Sequence, residues 1–487
     1  MPDLPIDPAI QPRSLLEAQR AAALAASASG PDLRHRLAAL ARIDSILSHS
    51  GDRLHAAIAA DFGHRAYPET ALAELIPLRA SVRFTQRRLA GWMRPRRRRV
   101  GASFLPGRAW VMRQPLGCIG IMAPWNYPLF LSVGPLIDAL AAGNRVMLKP
   151  SDLTPRFGAL LAELLAGQFD QAEIAVVNGD LETARAFSAL PFDHLLFTGS
   201  TAIGHEVMRA ASATLTPVTL ELGGKSPVIV CPDADPGRTA RSLMIGKLFN
   251  AGQTCIAPDY VLVPEHRLDE MVAALLREAG RLYPRITGNP DYSCIISERH
   301  RHRLEGAVQE AERQGATLRY APGHAEEREQ ARASGRLVPT LVTAPPLDCT
   351  LMRDEIFGPV LPVLPYRSLE EAIAFVNARP RPLALYCYTD DRRLERMVLD
   401  STISGGGTVN GTLLHCAQPD LPFGGVGGSG MGAYHGEAGF LRFSHTRGFY
   451  RPGRFSGFTT MAPPHGTMTR RMLPLMLGRR SRDVRPE

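Results

Sequence analysis

No apolar run in this 487-residue chain approaches the length needed to cross a bilayer. Paired cysteines are lacking too. The seven cysteines, Cys118, Cys231, Cys255, Cys294, Cys349, Cys387 and Cys416, are odd in number and no two have C-x-x-C spacing. That excludes a disulfide framework and a zinc ribbon, and no metal site is expected. The opening residues "MPDLPIDPAI" are acidic and broken by proline, unlike a secretory leader. A reduced, cytoplasmic protein is expected.

The usual phosphate fingerprints are missing as well. "FTGSTAIG" has Gly199 and Gly204 in G-x-x-x-x-G spacing, but His205 stands where a P-loop needs lysine. "GGKS" at 223–226 would need glycine at 219, which is threonine. "HEVMR" lacks the second histidine of a zinc protease, since residue 209 is arginine. Taken alone, G-x-x-x-x-G is better read as an ordinary strand-to-helix turn.

Charge is plentiful, with a formal net of +9. Part of the excess lies in "MRPRRRR" (93–99), where no aromatics alternate with the arginines as a single-strand binder would need. A solvated face or interface rim is expected there, and no nucleic-acid partner. The other part is the tail, where "RRMLPLMLGRR" brackets a short apolar run with Arg470, Arg471, Arg479 and Arg480. Contact with an anionic membrane surface is one reading of it; packing against the protein's own body is preferred.

Hydrophobic residues make up 45% of the chain, enough for two or three domains. Residues 14–62 and the stretch "ETALAELIPLRASVRFTQRRLAGWM" carry apolar residues at helical spacing. Beyond about 108 come two β-like runs, 109–112 and 118–122. A helix ending at Gly143, a buried strand ending at Lys149, a helix, the strand "IAVVNG", a short helix and the strand "HLLFTGS" follow. This β–α–β–α–β succession predicts a parallel, doubly wound α/β sheet with ligands at the carboxyl ends of its strands. A second α/β unit begins near 223, with "FGPVLPVLPY" read as a strand pair and 322–336 as an exposed loop.

Cys255 in "NAGQTCIAPDY" sits in a Gly/Gln/Thr loop after a helix. A thiolate attacks carbonyls well, and an aldehyde is the easiest carbonyl to attack. The oxyanion then needs fixed donors. The Cys255 N–H and the amide of Asn126, in "APWNYP", are candidates. Releasing a thioester needs a general base, and Glu221 in "LELGGKSP" follows a strand with two glycines behind it. A core thiol, a turn cap and a structural ion pair remain open for the three residues respectively.

Seven segments in one order sharpen this: "PWNYP", "LKPSDLTP", "FTGSTAIG", "LELGGKSP", "GQTCIAPDY", "EIFGPVLPV" and "PFGGVGGSGMG". Together they resemble the NAD(P)-dependent aldehyde dehydrogenases nearly end to end. "GQTCIAPDYVL" and "GAYHGEAGFLRFSH" look like the class-3 branch, and "DYSCIISERH" with a long basic tail looks most like the coniferyl aldehyde dehydrogenases, fatty-aldehyde enzymes being the neighbouring alternative.

The resemblance implies that Cys255 is the nucleophile, Glu221 the base that activates water, and Asn126 part of the oxyanion hole. It implies that Lys149 contacts the cofactor ribose, that Gly199, Ser200 and Gly204 lie at the pyrophosphate, and that Glu355 holds the nicotinamide ribose. Leu222 and Phe357 are counted with the cofactor residues. Asp152 stands where many members carry glutamate. It keeps the charge that would meet the adenosine ribose hydroxyls, so NAD is expected over NADP.

The implied organisation is N-terminal helices and a Rossmann-like cofactor domain over 1–222, with part of a strand arm near 96–114. A catalytic domain over 223–408, an oligomerisation arm and closure over 409–447, and a basic tail over 448–487 complete it, in a homodimer. A CoA-acylating relative is disfavoured because Glu221 suits hydrolysis. A non-catalytic basic scaffold is disfavoured because the catalytic positions are filled.

Overall fold

The computed structural model describes residues 10–27, 32–454 and 462–478. Met1–Ala9 and the tail arginines Arg479 and Arg480 lie outside them. The first sheet runs, edge to edge, Gly430–Met431, Val218–Leu222, His194–Gly199, Cys118–Met122, Arg145–Lys149 and Ile174–Val176. Every neighbour is parallel except the first pair. Cys118–Met122 is buried at all five positions, as a parallel strand covered on both faces must be. From it the chain moves outward through Arg145–Lys149, then returns to pair His194–Gly199 on its other side. That reversal opens a crevice at the carboxyl ends of Cys118–Met122 and His194–Gly199, where doubly wound sheets bind ligands.

The second sheet has seven strands: Thr317–Arg319, Thr340–Thr343, Val360–Tyr366, Tyr260–Pro264, Pro227–Val230, Ala384–Tyr388 and Gly406–Val409. Only four residues separate Leu222, at the carboxyl end of the first sheet, from Pro227, at the amino end of the second. The two ends therefore face each other. The loops entering Tyr260–Pro264 and Val360–Tyr366 open onto the crevice.

A third, antiparallel sheet joins Arg96–Arg98, Arg108–Pro115 and Ser444–Arg451. Its long pair is in register from Arg108 opposite Arg451 to Pro115 opposite Ser444, and Trp110 stacks on Phe449 with ring centroids 5.6 Å apart. The division expected at 447/448 falls inside this last strand. In the tail a helix spans Thr467–Met476. Among the described residues no helix is long and apolar enough to cross a membrane.

Three expectations need correction. "FGPVLPVLPY" forms one strand, Val360–Tyr366, rather than two. Residues 360–363 pair with 340–343 and residues 363–366 with 261–264, so Pro362 and Pro365 fall in different half-ladders. The stretch 322–336 is no open loop. It holds a helix, Arg328–Ala333, with Ala331 buried, and Arg336 donates to the carbonyls of Tyr292 and Asn289. Glu221 lies within Val218–Leu222 rather than after it, because the parallel ladder runs on through Thr198 opposite Glu221 and Gly199 opposite Leu222, with Gly430 pairing on the other edge.

Candidate active site

After the helix Pro236–Leu248 the chain makes a tight kink. Asn250, Ala251 and Gly252 take φ of 51°, 50° and 75° in succession. Left-handed backbone at non-glycine residues is strained and persists only where the surroundings over-determine it. Here they do. The Asn250 N–H donates to Glu69 Oε1 at 2.8 Å, and its side-chain amide donates to the Asn126 carbonyl at 3.1 Å. Gln253 Nε2 donates to the Asn250 and Cys294 carbonyls at 3.0 and 2.9 Å, and its Oε1 accepts from Ile296 N–H at 3.0 Å. Gly252 must be glycine, since a Cβ there would collide with the Gly358 carbonyl. This kink presents Cys255 half-buried, while Cys118, Cys231, Cys294, Cys349 and Cys387 are buried.

The Asn126 loop meets this kink from the cofactor side. Its support is a fully buried ion pair, Arg65 to Glu74 at 3.0 Å. Glu74 Oε2 also accepts from the first amides of the helix Pro128–Ala142, Leu129 and Phe130, each at 2.9 Å, where a carboxylate suits the helix dipole. Arg65 in turn donates to the Asn126 carbonyl at 3.1 Å. The Asn126 amide donates to the Gln253 carbonyl at 3.2 Å, and Tyr127 Oη meets Thr254 Oγ1 at 2.6 Å. Two successive residues of each loop are thus tied together directly before Cys255. Asn126 has one amide hydrogen left for an oxyanion.

Two carboxyl groups complete the chamber. Glu221 is 2% exposed and neither of its oxygens has a partner. Burial drives it well above the usual carboxylate range, and Arg442 draws it down by less. Glu355 is held by the Gly224 amide, with Oε1 unpartnered. Burial first, then Asp259, raises it to about 8 against the Gly224 amide, Lys225 and Arg303. Its loop is clasped by Lys225, which pairs with Asp259 and donates to the Leu351 and Asp354 carbonyls at 2.7 and 2.9 Å. The Cys255 thiol is pushed up by burial, then by Glu355, Cys416 and Glu221, with its own amide opposing. At neutral pH it is therefore a thiol that needs a proton acceptor.

The residues expected at a cofactor line the same crevice. Lys149 ends its strand and donates to the Pro150 and Gly179 carbonyls at 2.9 Å each. Asp152 is exposed on the turn beyond. Gly199 ends its strand, and Ser200 caps the helix Thr201–Ser212 by accepting from Ile203 N–H. Gly204, on the first turn of that helix, packs on the buried Leu222. Phe357, at φ 52°, sets its ring edge-on to Trp125 at 5.3 Å, joining the Glu355 and Asn126 loops.

This set fits a dinucleotide. The helix offers free N–H groups for a pyrophosphate. Glu355 keeps one acceptor oxygen unused, and a Cβ at Gly223 would strike that carboxylate. Among the described residues no three His, Cys, Asp or Glu side chains converge on a metal.

Sequence reasoning passed over the far wall. Phe423 stacks on His435 at 5.4 Å, Phe130 meets His435 edge-on at 5.7 Å, and Tyr434 packs against His435 at 4.4 Å. Burial lowers His435 and His415 each to about 4, so both rings are neutral. Cys416 sits in the same wall, its thiol donating to the Leu413 carbonyl at 3.0 Å. All of these but Phe130 fall in or beside the glycine-rich stretch near the chain's end, and the aromatic–histidine pair in "AYHG" was the available signal.

The family model for the aldehyde dehydrogenase family matches residues 9–448. A probable coniferyl aldehyde dehydrogenase of Pseudomonas aeruginosa is 48% identical over 95% of both chains, and a coniferyl aldehyde dehydrogenase of a Pseudomonas species is 45% identical over 86% of both. Among solved structures, a substrate-bound Staphylococcus aureus AldH superposes with a TM-score of 0.87 at 34% identity, covering 94% of this chain and 98% of that one. A Mycobacterium tuberculosis aldehyde dehydrogenase complexed with NAD+ superposes with a TM-score of 0.80 at 29% identity, covering 93% and 92%. By its sequence and by its fold, the chain belongs to the aldehyde dehydrogenase family and oxidises aldehydes with NAD(P).

Proposed function

We propose that this chain oxidises an aryl aldehyde of the coniferyl type to its carboxylic acid with NAD, through a thioester on Cys255. The observation that carries the chemistry is the half-buried Cys255 thiol beside a buried Glu221 carboxylate whose two oxygens have no partner. Glu221 takes the thiol proton and the thiolate adds to the aldehyde carbon. The free Asn126 amide hydrogen and the Cys255 N–H hold the oxyanion. Bound NAD supplies the acceptor for the hydride that leaves as the adduct becomes a thioester. Once it has passed the thiol proton to solvent, Glu221 takes a proton from water as that water attacks the thioester, and the acid departs from the Cys255 thiolate.

Lys149, Asp152, Gly199, Ser200, Gly204, Leu222, Glu355 and Phe357 would hold the cofactor. Asp152 favours NAD, since a 2′-phosphate beside its carboxylate meets like charge. The stacked rings of Phe423 and His435 support a flat aryl substrate, as do the names of the relatives. In this reading 1–222 is the cofactor domain, 223–408 the catalytic domain, 409–447 an oligomerisation arm and closure, and 448–487 a basic tail, in a cytoplasmic homodimer.

NADH formation should be measured with aryl, short aliphatic and long-chain aldehydes, with and without CoA. Highest kcat/KM for hydroxycinnamaldehydes with free acid as product is expected. A long-chain optimum would overturn the aryl assignment, and acyl-CoA as product would overturn hydrolysis.

A further inference from the structure

We propose that Tyr434 is a positioning residue of the hydrolytic step: its hydroxyl and the Glu221 carboxylate together hold the water that attacks the acyl group on Cys255. The inference rests on the reading of Glu221 as the base.

Tyr434 is wholly buried and its hydroxyl has no partner. A buried phenol ordinarily finds one, and an orphaned polar atom calls for an explanation. Glu221 adds two more orphaned oxygens. The groups that act electrostatically on the Tyr434 hydroxyl are, in order, Glu221, Cys255, Asp138 and Cys416. Three partnerless polar atoms on two residues, both coupled to the nucleophile, outline a site for a small polar species.

The backbone explains the juxtaposition. The Ser429 carbonyl accepts from Leu222 N–H at 3.0 Å, and Gly430 lies opposite Glu221. Four residues later Tyr434 exchanges both backbone hydrogen bonds with Phe423, each at 2.9 Å. The ring is then pinned between the helix Pro128–Ala142 at Gly134, the His435 ring at 4.4 Å and Phe423 at 6.1 Å. It cannot swing to solvent without breaking that bridge.

The remaining groups on these walls leave the task to Tyr434. Arg442 acts on Glu221 but bonds neither of its oxygens. Asp138 Oδ2 accepts the His435 N–H at 2.9 Å, and His435 and His415 are neutral.

The chemistry follows from donor counting. The phenol donates its proton to the water oxygen as a hydrogen bond. The water gives one hydrogen to a Glu221 oxygen, so its other lone pair faces the thioester carbon. As the new C–O bond forms, that hydrogen passes to Glu221; the C–S bond then breaks and the electron pair returns to Cys255. Tyr434 neither gains nor loses a proton.

The test is Tyr434→Phe beside Glu221→Gln, read by rapid-mixing NADH formation, intact protein mass, pH profiles and thermal melting. For Tyr434→Phe we expect about one equivalent of NADH formed rapidly, steady-state turnover lowered about 10–100-fold, and an acyl adduct retained on Cys255. The acid limb of kcat should move up by about one pH unit, because the water that donates to charged Glu221 is no longer polarised by the phenol. If the phenylalanine variant does not fold, 3,5-difluorotyrosine placed at 434 keeps the ring and strengthens the donor, so the limb must move down.

An unmoved acid limb, with or without a lower melting temperature, shows a purely structural tyrosine and overturns the proposal. If Glu221→Gln accumulates acyl-enzyme while Tyr434→Phe does not, Tyr434 alone is removed from the mechanism. If Glu221→Gln turns over normally and shows no adduct, the base assignment itself falls.

Discussion

The two walls around Cys255 are built on opposite plans. On the Asn126 side the groups that shape the loops bond one another, Glu69 with Asn250, Asn250 with Asn126 and Asn126 with Gln253, each across more than a hundred residues of sequence, and the atoms left over are Arg65 Nε and Nη2 and Asn250 Oδ1. On the Glu221 side, Glu221, Tyr434 and the His435 Nε2 are buried without partners. The satisfied wall holds strained backbone in a single shape. The unsatisfied wall is energetically expensive in the resting protein, and its unused valences are what a reacting water and acyl group can employ. Rigidity and reactivity are assigned to different walls of one chamber.

The sharpest way to break the contrast is at its centre. Cys255→Ala should lower turnover by more than about 10⁴-fold with the fold intact, checked by NADH formation and circular dichroism. Removing the Glu221 carboxylate from the unsatisfied wall comes next. Glu221→Gln should lower turnover about 10²–10⁴-fold yet raise the melting temperature at alkaline pH. The sign follows from burial, which raises the folded pKa of Glu221 above its unfolded value near 4.5. The wild type is therefore best stabilised below that unfolded value and loses stability as pH rises toward the folded pKa, whereas glutamine has no proton to lose. The melting-temperature gap between the two should widen with pH; a constant gap would count against a strained carboxylate.

On the satisfied wall the same kind of change should act in the opposite direction. Glu74→Ala leaves Arg65 buried and unpaired, and should cost about 3–5 kcal/mol in urea unfolding. A loss below about 1 kcal/mol would mean that this ion pair does not anchor the Asn126 loop. The smallest effect lies outside both walls. Asp152→Ala should raise the NADP-to-NAD ratio of kcat/KM roughly tenfold and leave melting unchanged. NADP preferred by the unmodified enzyme would sink that account.

Where periodicity was strong the sequence spoke clearly. Cys118–Met122, Arg145–Lys149 and Tyr260–Pro264 could be read almost to the residue, because buried parallel strands are short apolar runs bounded by turns. Polar or glycine-rich strands could not. Gly406–Val409 and Gly430–Met431 have little side chain to pattern and exist because a neighbouring strand edge pairs with them.

The site was legible to the same extent. Cys255, Asn126 and Glu221 each carry a reactive or donating group on a segment with turn residues. The kink at Asn250 and Ala251, the Arg65–Glu74 pair and the Tyr434 wall were hidden, since each depends on segments that meet only in three dimensions. Asn250 alone draws on Glu69 and Asn126, 181 and 124 residues away.

The pairing of Gly430 with Glu221 also has a consequence in time. Chains emerge from the ribosome amino end first, and domains fold as they appear. A nascent chain that has reached the end of Gly406–Val409 already holds the thiol, the carboxylate and most of both sheets. It still lacks Phe423, Tyr434 and the short strand that covers the open edge of Val218–Leu222. A late stretch of the chain therefore closes the far wall, and a product truncated before it would keep its cysteine without the surroundings that govern it.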